Sequence, residues 1–307
     1  MVPQFPRPNR SAVFEWRPWK VMPPVVLCLV LSSGIALGQG KKVASEAPGM
    51  DAVDLGRFAQ PTTIDNKWAP MKPGTRWTYE GTSVEDDGKV VPHRIIVTIT
   101  DLTKVIGGIR TVVSYDLDYS DRELVEAELA FYAQDDNSNV WQFGEYPEEY
   151  EDGKFVKAPT WIHGLKGARA GIMMEAQPRL GTPSLAQGWG PAVGWKDRGI
   201  TYQVGQKVSV RAGTYEDVLV IKESASGEQD AEQLKYYAPG VGNVRTGWVG
   251  TGAKVTETLE LVKVEQLTPK VLTDARTKAA QLEQSAYRRS KDVYAKTQAS
   301  SANLGRP

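Results

Sequence analysis

At 307 residues, 41% hydrophobic and 24% charged, the chain has the length and composition of a globular protein with one large core or two smaller ones. Thirty-seven Lys and Arg balance thirty-seven Asp and Glu, which excludes the overall positive field that nucleic-acid binding draws on. The only cysteine is Cys28, so the chain has no disulfide framework and no thiolate zinc site, and nothing after residue 28 can act as a thiol nucleophile.

Residues 1–20 carry Arg7, Arg10, Arg17 and Lys20 against Glu15, and Val21 to Leu37 is an uncharged, mostly apolar run ending in "ALGQG". A basic stretch, a short apolar stretch and a small-residue exit describe a signal peptide over 1–38, cleaved after Gly38. The alternative is an uncleaved N-terminal anchor, for which the seventeen residues from Val21 to Leu37, preceded by positive charge, are barely long enough. Either way the body is expected to be exported, to the periplasm or outside the cell, or held at the inner membrane by that segment alone. Cys28 lies inside the apolar run rather than closing it, which argues against lipidation. Residues 39–67, polar and without a clear period, read as a flexible linker.

From Trp68 to Thr268 alternation of period two dominates. "TRWTYEGT" is a strand, and "HRIIVTITDLTKVIGGIRTVVSYDLDY" is a hairpin turning at Gly107-Gly108. "VEAELAFYAQDDNSNVWQFGE" is a second hairpin turning at Asp135 to Asn139. The order then recurs in "QKVSVRAGTYEDVLVIKES" and "AEQLKYYAPGVGNVRTGWVG", followed by the alternating strand "KVTETLELVKVEQL". "ELAFYA" against "QLKYYA" marks an internal hairpin duplication. The expected fold is therefore mainly β, an antiparallel meander curled into a half-barrel or open barrel, with one C-terminal α-helix. Between the two halves lies a Gly/Trp-rich insertion, 160–199, with three tryptophans and Met173-Met174, which reads as a cap on the open end of the sheet. After Pro269, Leu272, Ala275, Ala279, Leu282, Ala286 and Val293 recur at helical spacing. A helix over 269–298 is expected, lying loosely on the body because its seam is thin, with a disordered tail at 299–307.

Five stretches, "MKPGTRWTYEGT", "IVTITDLTKVIGGIRTVV", "FYAQDDNSNVWQFGE", "YEDVLVIKE" and "LKYYAPGVGNV", resemble a family of exported bacterial proteins and lipoproteins of uncharacterised function. The Tyr-Tyr-Ala-Pro-Gly-Val-Gly phrase is the most specific part. The resemblance implies a curved antiparallel sheet like that of periplasmic lipoprotein carriers, and it implies no activity.

A search for chemistry finds little. Of the two histidines, His93 opens a strand and His163 sits in the insertion, and neither accompanies a nucleophile-elbow motif. "DDNSN" imitates the start of a calcium loop, but Val140 stands where glycine is needed and Tyr146 where glutamate is needed, so a hairpin turn is the better reading. No catalytic residue, metal site or cofactor is expected. Asp116 to Asp152 holds thirteen acids against Arg122, while Lys270 to Pro307 holds eight Lys or Arg against three acids. These two segments read as solvated faces or as contact surfaces. The expected function is a non-catalytic envelope protein binding an apolar ligand or lipidated partner on the curved sheet, through Trp161, Met173, Met174, Trp189, Trp195, Tyr236 and Tyr237. The partners expected are a lipid or an envelope protein, with no nucleic acid. The alternatives are an interaction module using the acidic segment and the basic helix and, below that, a hydrolase without a recognisable motif.

Overall fold

A computed structural model describes residues 50, 52–84, 88–224, 231–250 and 256–302. The signal-peptide reading, Cys28, and residues 39–49 of the expected linker lie outside the described residues. The first five strands are β1 (Thr75–Val84), β2 (Val90–Ile106), β3 (Ile109–Ser120), β4 (Glu123–Gln134) and β5 (Val140–Glu151). Five short strands follow: β6 (Lys154–Lys157), β7 (Trp161–Ile162), β8 (Arg169–Met174), β9 (Leu185–Ala186) and β10 (Gly188–Trp189). A second run of long strands is β11 (Arg198–Val210), β12 (Gly213–Ser224), β13 (Ala231–Ala238), β14 (Gly242–Gly250) and β15 (Thr256–Gln266). Helix α1 (Pro269–Arg289) and β16 (Ser301–Ala302) complete the chain.

The long strands form one antiparallel sheet in the order β5-β4-β3-β2-β1-β15-β14-β13-β12-β11. Each half is a meander, and the halves join where β1 pairs β15, from Thr75 opposite Gln266 to Val84 opposite Thr256. The sheet curls but does not close. Its free edges are fastened at one place by the insertion: β8 adds to β5, β9 adds to β11, and β10, one residue beyond β9, pairs with β8. Gly171 on β8 permits this clasp, because a Cβ there would lie 2.3 Å from Ala186 O and 2.5 Å from Gly188 N. The insertion thus has structure of its own and spans the gap between the edges.

The duplicated phrase has a structural counterpart. In the β4–β5 hairpin the register shifts between Phe131, opposite Gly144, and Tyr132, opposite Gln142. In β13–β14 it shifts between Tyr236, opposite Arg245, and Tyr237, opposite Asn243. Phe131 matches Tyr236 and Tyr132 matches Tyr237 in the repeated phrase, so both copies carry a bulge at the same step. The extra residue reverses which side chains face which side of the sheet from that point on.

Two layers of core lie on the two faces of the first meander. One, around Leu129, Phe131, Phe143 and Tyr146, is covered by α1. The other, around Tyr79, Ile99, Leu259 and Leu261, belongs to the inner, concave side.

Four expectations are corrected at the ends of this domain. The stretch read as a flexible linker is packed from Phe58 onward. The Phe58 ring meets Trp141 and Phe143 edge-on at 6.1 and 5.7 Å, and buried Asn66 donates to Ser138 O and Glu175 O. The helix stops at Arg289 rather than near 298, because Ser290 leaves helical geometry while its N–H still bonds Ala286 O. Nor does the helix lie loosely: Ala275, Ala279, Leu282 and Ala286 are buried, and beyond it fully buried Tyr294 contacts Phe131, Tyr146 and Tyr287. The expected disordered tail is likewise ordered as far as β16, which pairs with Leu102 and Thr103 of β2. No helix among the described residues is long and apolar enough to cross a membrane.

Candidate functional site

Curling brings both meanders around a cavity of about 390 Å³ on the concave face, within the size range of small-molecule sites. Strand alternation decides its lining. On β3, Asp116 and Asp118 are two apart and share this face; on β4, Glu126 and Glu128 do the same. After the bulge at Gly144, Glu145 faces the cavity while Tyr146 turns toward α1. Across the cavity stand Glu223 of β12, Glu257 of β15 and, ahead of β11, Asp197. Lys235 of β13 is the one basic residue in the lining.

The remaining wall mixes aromatic and apolar residues with the uncharged polar Ser114, Gln142, Gln187, Asn243 and Thr246. Trp77 and Tyr79 of β1 are fixed by hydrogen bonds to Val241 O and Asn243 O at 2.8 and 2.9 Å. Tyr132 and Tyr237, the equivalent residues of the two repeats, both enter the cavity from opposite halves of the sheet. Tyr237 is 6% exposed, and its hydroxyl makes no hydrogen bond among the described residues.

Partners are unevenly shared among the acids. Glu223 accepts from Gln187 Nε2 at 2.7 Å and pairs with Lys235 Nζ at 2.7 Å. His93 Nε2 lies 3.1 Å from Asp118 Oδ1 and 3.4 Å from Glu257 Oε2. Glu145 accepts from Gln142 at 3.0 Å and Asp116 from Ser114 at 2.5 Å. Glu126 and Glu128 make no hydrogen bond and no ion pair among the described residues.

Burial dominates the electrostatics. It pushes Asp116 up to about 7 and Glu126 up to about 8, with Asp118 and Glu149 adding repulsion at Glu126. Burial also raises Glu145 to about 8, against the pull of the Trp161 indole and Gln142, and it raises Glu128 well above the carboxylate range with Glu145 and Glu126 adding to the effect. Burial works against charge on His93, but hydrogen bonding and attraction to Asp118, with Glu257 helping, outweigh it and raise the imidazole. Lys235 is likewise disfavoured by burial, yet Glu223 holds it protonated.

Three of the seven residues expected at a ligand site, Met173, Trp195 and Tyr237, line this cavity. Trp161 stands behind the wall, stacked on Trp195 with ring centroids 4.6 Å apart. Met174 is buried in the core beside the cavity, Trp189 is half-buried on β10 and does not line it, and Tyr236 faces elsewhere with the Arg245 guanidinium 6.0 Å from its ring. The carboxylates were missed as a site. Their spacing of two along β3 and β4 was the available sign that they share a face.

The remaining chemistry is structural. His163 Nδ1 accepts from Ala170 N at 3.0 Å and its ring abuts Phe143. Burial, aided by Arg169, lowers its pKa. Asp135 spends its oxygens on Asn137 N, Asn139 N, Asn139 Nδ2 and Trp141 Nε1, which makes "DDNSN" a braced hairpin turn. No group of three or more His, Cys, Asp or Glu among the described residues converges to hold a metal ion.

No protein-family profile matches the chain and no curated protein is significantly similar to it. Among solved structures it is similar to a protein from Bacteroides fragilis described as exported with a YmcC-like fold. The identity is 12% and the TM-score 0.38, over 65% of this chain and 99% of that one. It is also similar to a protein from Parabacteroides distasonis described as a lipoprotein, at 10% identity and a TM-score of 0.36, over 67% of this chain and 100% of that one. Likeness at this level carries no argument about family or function.

Proposed function

We propose that the chain is a non-catalytic, exported envelope protein that binds a small molecule in the concave cavity. The observation that carries this reading is the cavity itself, built jointly by the two meanders and lined by carboxyls from both halves together with Trp77, Tyr79, Tyr132 and Tyr237. Export rests on the basic, apolar, small-residue pattern of residues 1–38.

The composition of the wall narrows the ligand. An acyl chain or lipid anchor would desolvate the acids without pairing them, so a compact molecule with polar groups fits better than a hydrocarbon. Binding is favoured over hydrolysis because acid–base catalysis by carboxyls needs one group kept protonated and another kept ionised. Here burial pushes Asp116, Glu126, Glu128 and Glu145 in the same direction. The interaction-module reading is supported less: five of the thirteen acids of the acidic segment, Asp116, Asp118, Glu126, Glu128 and Glu145, line the cavity, and the apolar seam of the basic helix packs on its own sheet.

Native mass spectrometry of the full chain, recovered from the periplasmic fraction of a bacterial host without detergent, tests this reading. The expected spectrum contains a small-molecule adduct that is lost on denaturation and is reduced by Tyr237→Ala. A bare polypeptide mass under all gentle conditions would count against it, and retention in the cytoplasm would overturn the export half.

A further inference from the structure

The acids of this chain are not spread evenly over its surface. In a protein with as many basic as acidic residues, the cavity wall carries eight carboxyls (Asp116, Asp118 and Glu126; Glu128, Glu145 and Asp197; Glu223 and Glu257) against Lys235. Gathering like charges in a half-buried space costs folding free energy. Glu126 and Glu128, two apart on one face of β4, make no hydrogen bond and no close ion pair among the described residues, and only the more distant attraction of Lys235 to Glu128 offsets that cost. A second observation is independent of charge. Tyr237 is 6% exposed and lines the cavity, and its hydroxyl, which has no hydrogen-bond partner among the described residues, opens onto the cavity rather than being sealed in its wall. Both facts point to an occupant that the polypeptide itself does not supply.

We propose that the cavity is a receptor site for an aliphatic di- or polyamine, its ammonium groups taken by the β3–β4 carboxylates and its methylene chain lying against Tyr132 and Tyr237. This rests on the binding reading above and gives it a ligand class. An ammonium group supplies what the unpaired carboxylates lack, and the tyrosine rings attract cations through their faces. The acids are distributed around the cavity rather than converging on one point, and none of their groupings has metal-ligand geometry. That arrangement suits a molecule with separated charges. A neutral sugar could use the tyrosines and the protonated carboxyls, but it would displace no protons, and proton release on binding therefore separates it from an amine.

Binding is coupled to protons. The groups facing the cavity include Asp116 and Asp118 from β3, Glu126 and Glu128 from β4, and Glu145 from β5. Glu223, Lys235 and Glu257 face them from β12, β13 and β15, with Asp197 ahead of β11. His93 of β2 sits between Asp118 and Glu257. Burial holds protons on several of these carboxyls near neutrality, so a fixed cation must displace protons, and affinity rises from pH 6 to pH 8.

The test is isothermal titration of the full chain with 1,6-diaminohexane, with spermidine, and with 1,6-hexanediol as a neutral analogue of the diamine. Titrations run at pH 6 and pH 8, in two buffers of different ionisation heat. The diamine and spermidine are expected to bind with proton release, more tightly at pH 8, with the diol at least about tenfold weaker. Glu128→Gln should weaken diamine binding by roughly tenfold while raising the melting temperature, because it removes an unpaired buried acid; that rise also shows the variant to be folded. Glu216→Gln, in an exposed pair with Lys207, should change neither. Equal binding of diol and diamine, or diamine binding untouched by Glu128→Gln, would overturn the proposal. If native mass spectrometry finds a neutral adduct while no amine binds, the amine assignment falls and the binding reading survives. If neither adduct nor amine binding is found, both fall.

Discussion

Gly144 decides which way one of the cavity acids points. It sits at the β4–β5 bulge with φ +150°, and a Cβ there would lie 2.5 Å from Trp161 O and 2.9 Å from Ile162 Cα, backbone atoms that no rotamer change can move. Gly144→Ala is expected to cost about 2–3 kcal/mol in urea unfolding, and an unchanged midpoint would mean that β7 can shift away freely. Lys104 makes the opposite point about what a sequence conceals. Nothing in "DLTKVIGG" marks it out from other strand residues, yet it is fully buried. Its ammonium donates to Glu283 Oε1 at 2.8 Å, Tyr287 Oη at 3.1 Å and Gln298 O at 2.5 Å, and lies 4.3 Å from the Tyr294 ring centroid. Burial lowers its pKa and Glu283 opposes that. Removing the counter-charge with Glu283→Ala should destabilise by about 3–5 kcal/mol, and Lys104→Met in the same chain should recover part of the loss. If the losses of Glu283→Ala and Lys104→Met measured singly simply add in the double variant, the pair is not coupled. Its partners lie 179 residues apart, so no local pattern could have revealed it.

Elements were more legible than residues, because alternation and turn chemistry are local. The two-residue turn at Gly107-Gly108 has φ of +57° and +89°, values that glycine adopts without strain, and it forms where the paired glycines place it. The repeated phrase was legible as a repeated hairpin, although the bulge inside each copy was not. Bulges depend on what the partner strand presents, and that is tertiary information. Helix α1 was legible for the same local reason, with Thr268 as its N-cap and Pro269 at its first turn. Its docking was misjudged because an alanine-rich seam looks weak on a hydropathy count. Small side chains instead let the helix pack on the sheet, and Arg289 at its C-terminal end meets Glu148 at 3.3 Å and stacks 3.5 Å from the centre of the Phe155 ring. Leu282, buried between α1 and the first meander, supplies the test. Leu282→Ala should lose about 2–3 kcal/mol by chemical denaturation. A loss near zero would return the helix to the loose attachment that its composition suggested.

For the whole molecule, equal numbers of acids and bases say nothing about where the charges sit; only the strand register gathers the acids of β3, β4 and β5 into one concavity. That segregation fixes the sign of the pH dependence. Asp116, Glu126 and Glu145 titrate near 7 to 8 in the folded chain and near 4 once unfolded. Between those values the native state binds more protons than the unfolded state, so stability must fall as pH rises. His93 acts in the same direction. Its raised pKa favours folding below about 6.5, and that contribution is lost as pH climbs through the folded value. Melting temperature should therefore be lower at pH 8 than at pH 5.5, by about 5 °C for a loss of about 2 kcal/mol. Most soluble domains lose stability on the acid side instead, as paired carboxylates are protonated. A flat or rising profile by differential scanning calorimetry would mean that these carboxyls are solvated and ionised at neutrality, and the concavity would then be wet surface rather than a site. If the profile falls as expected, an occupant with fixed positive charge should replace the lost protons. The pH 8 deficit should then shrink on adding 1,6-diaminohexane and persist on adding 1,6-hexanediol, linking the stability of the sheet to the contents of its concave face.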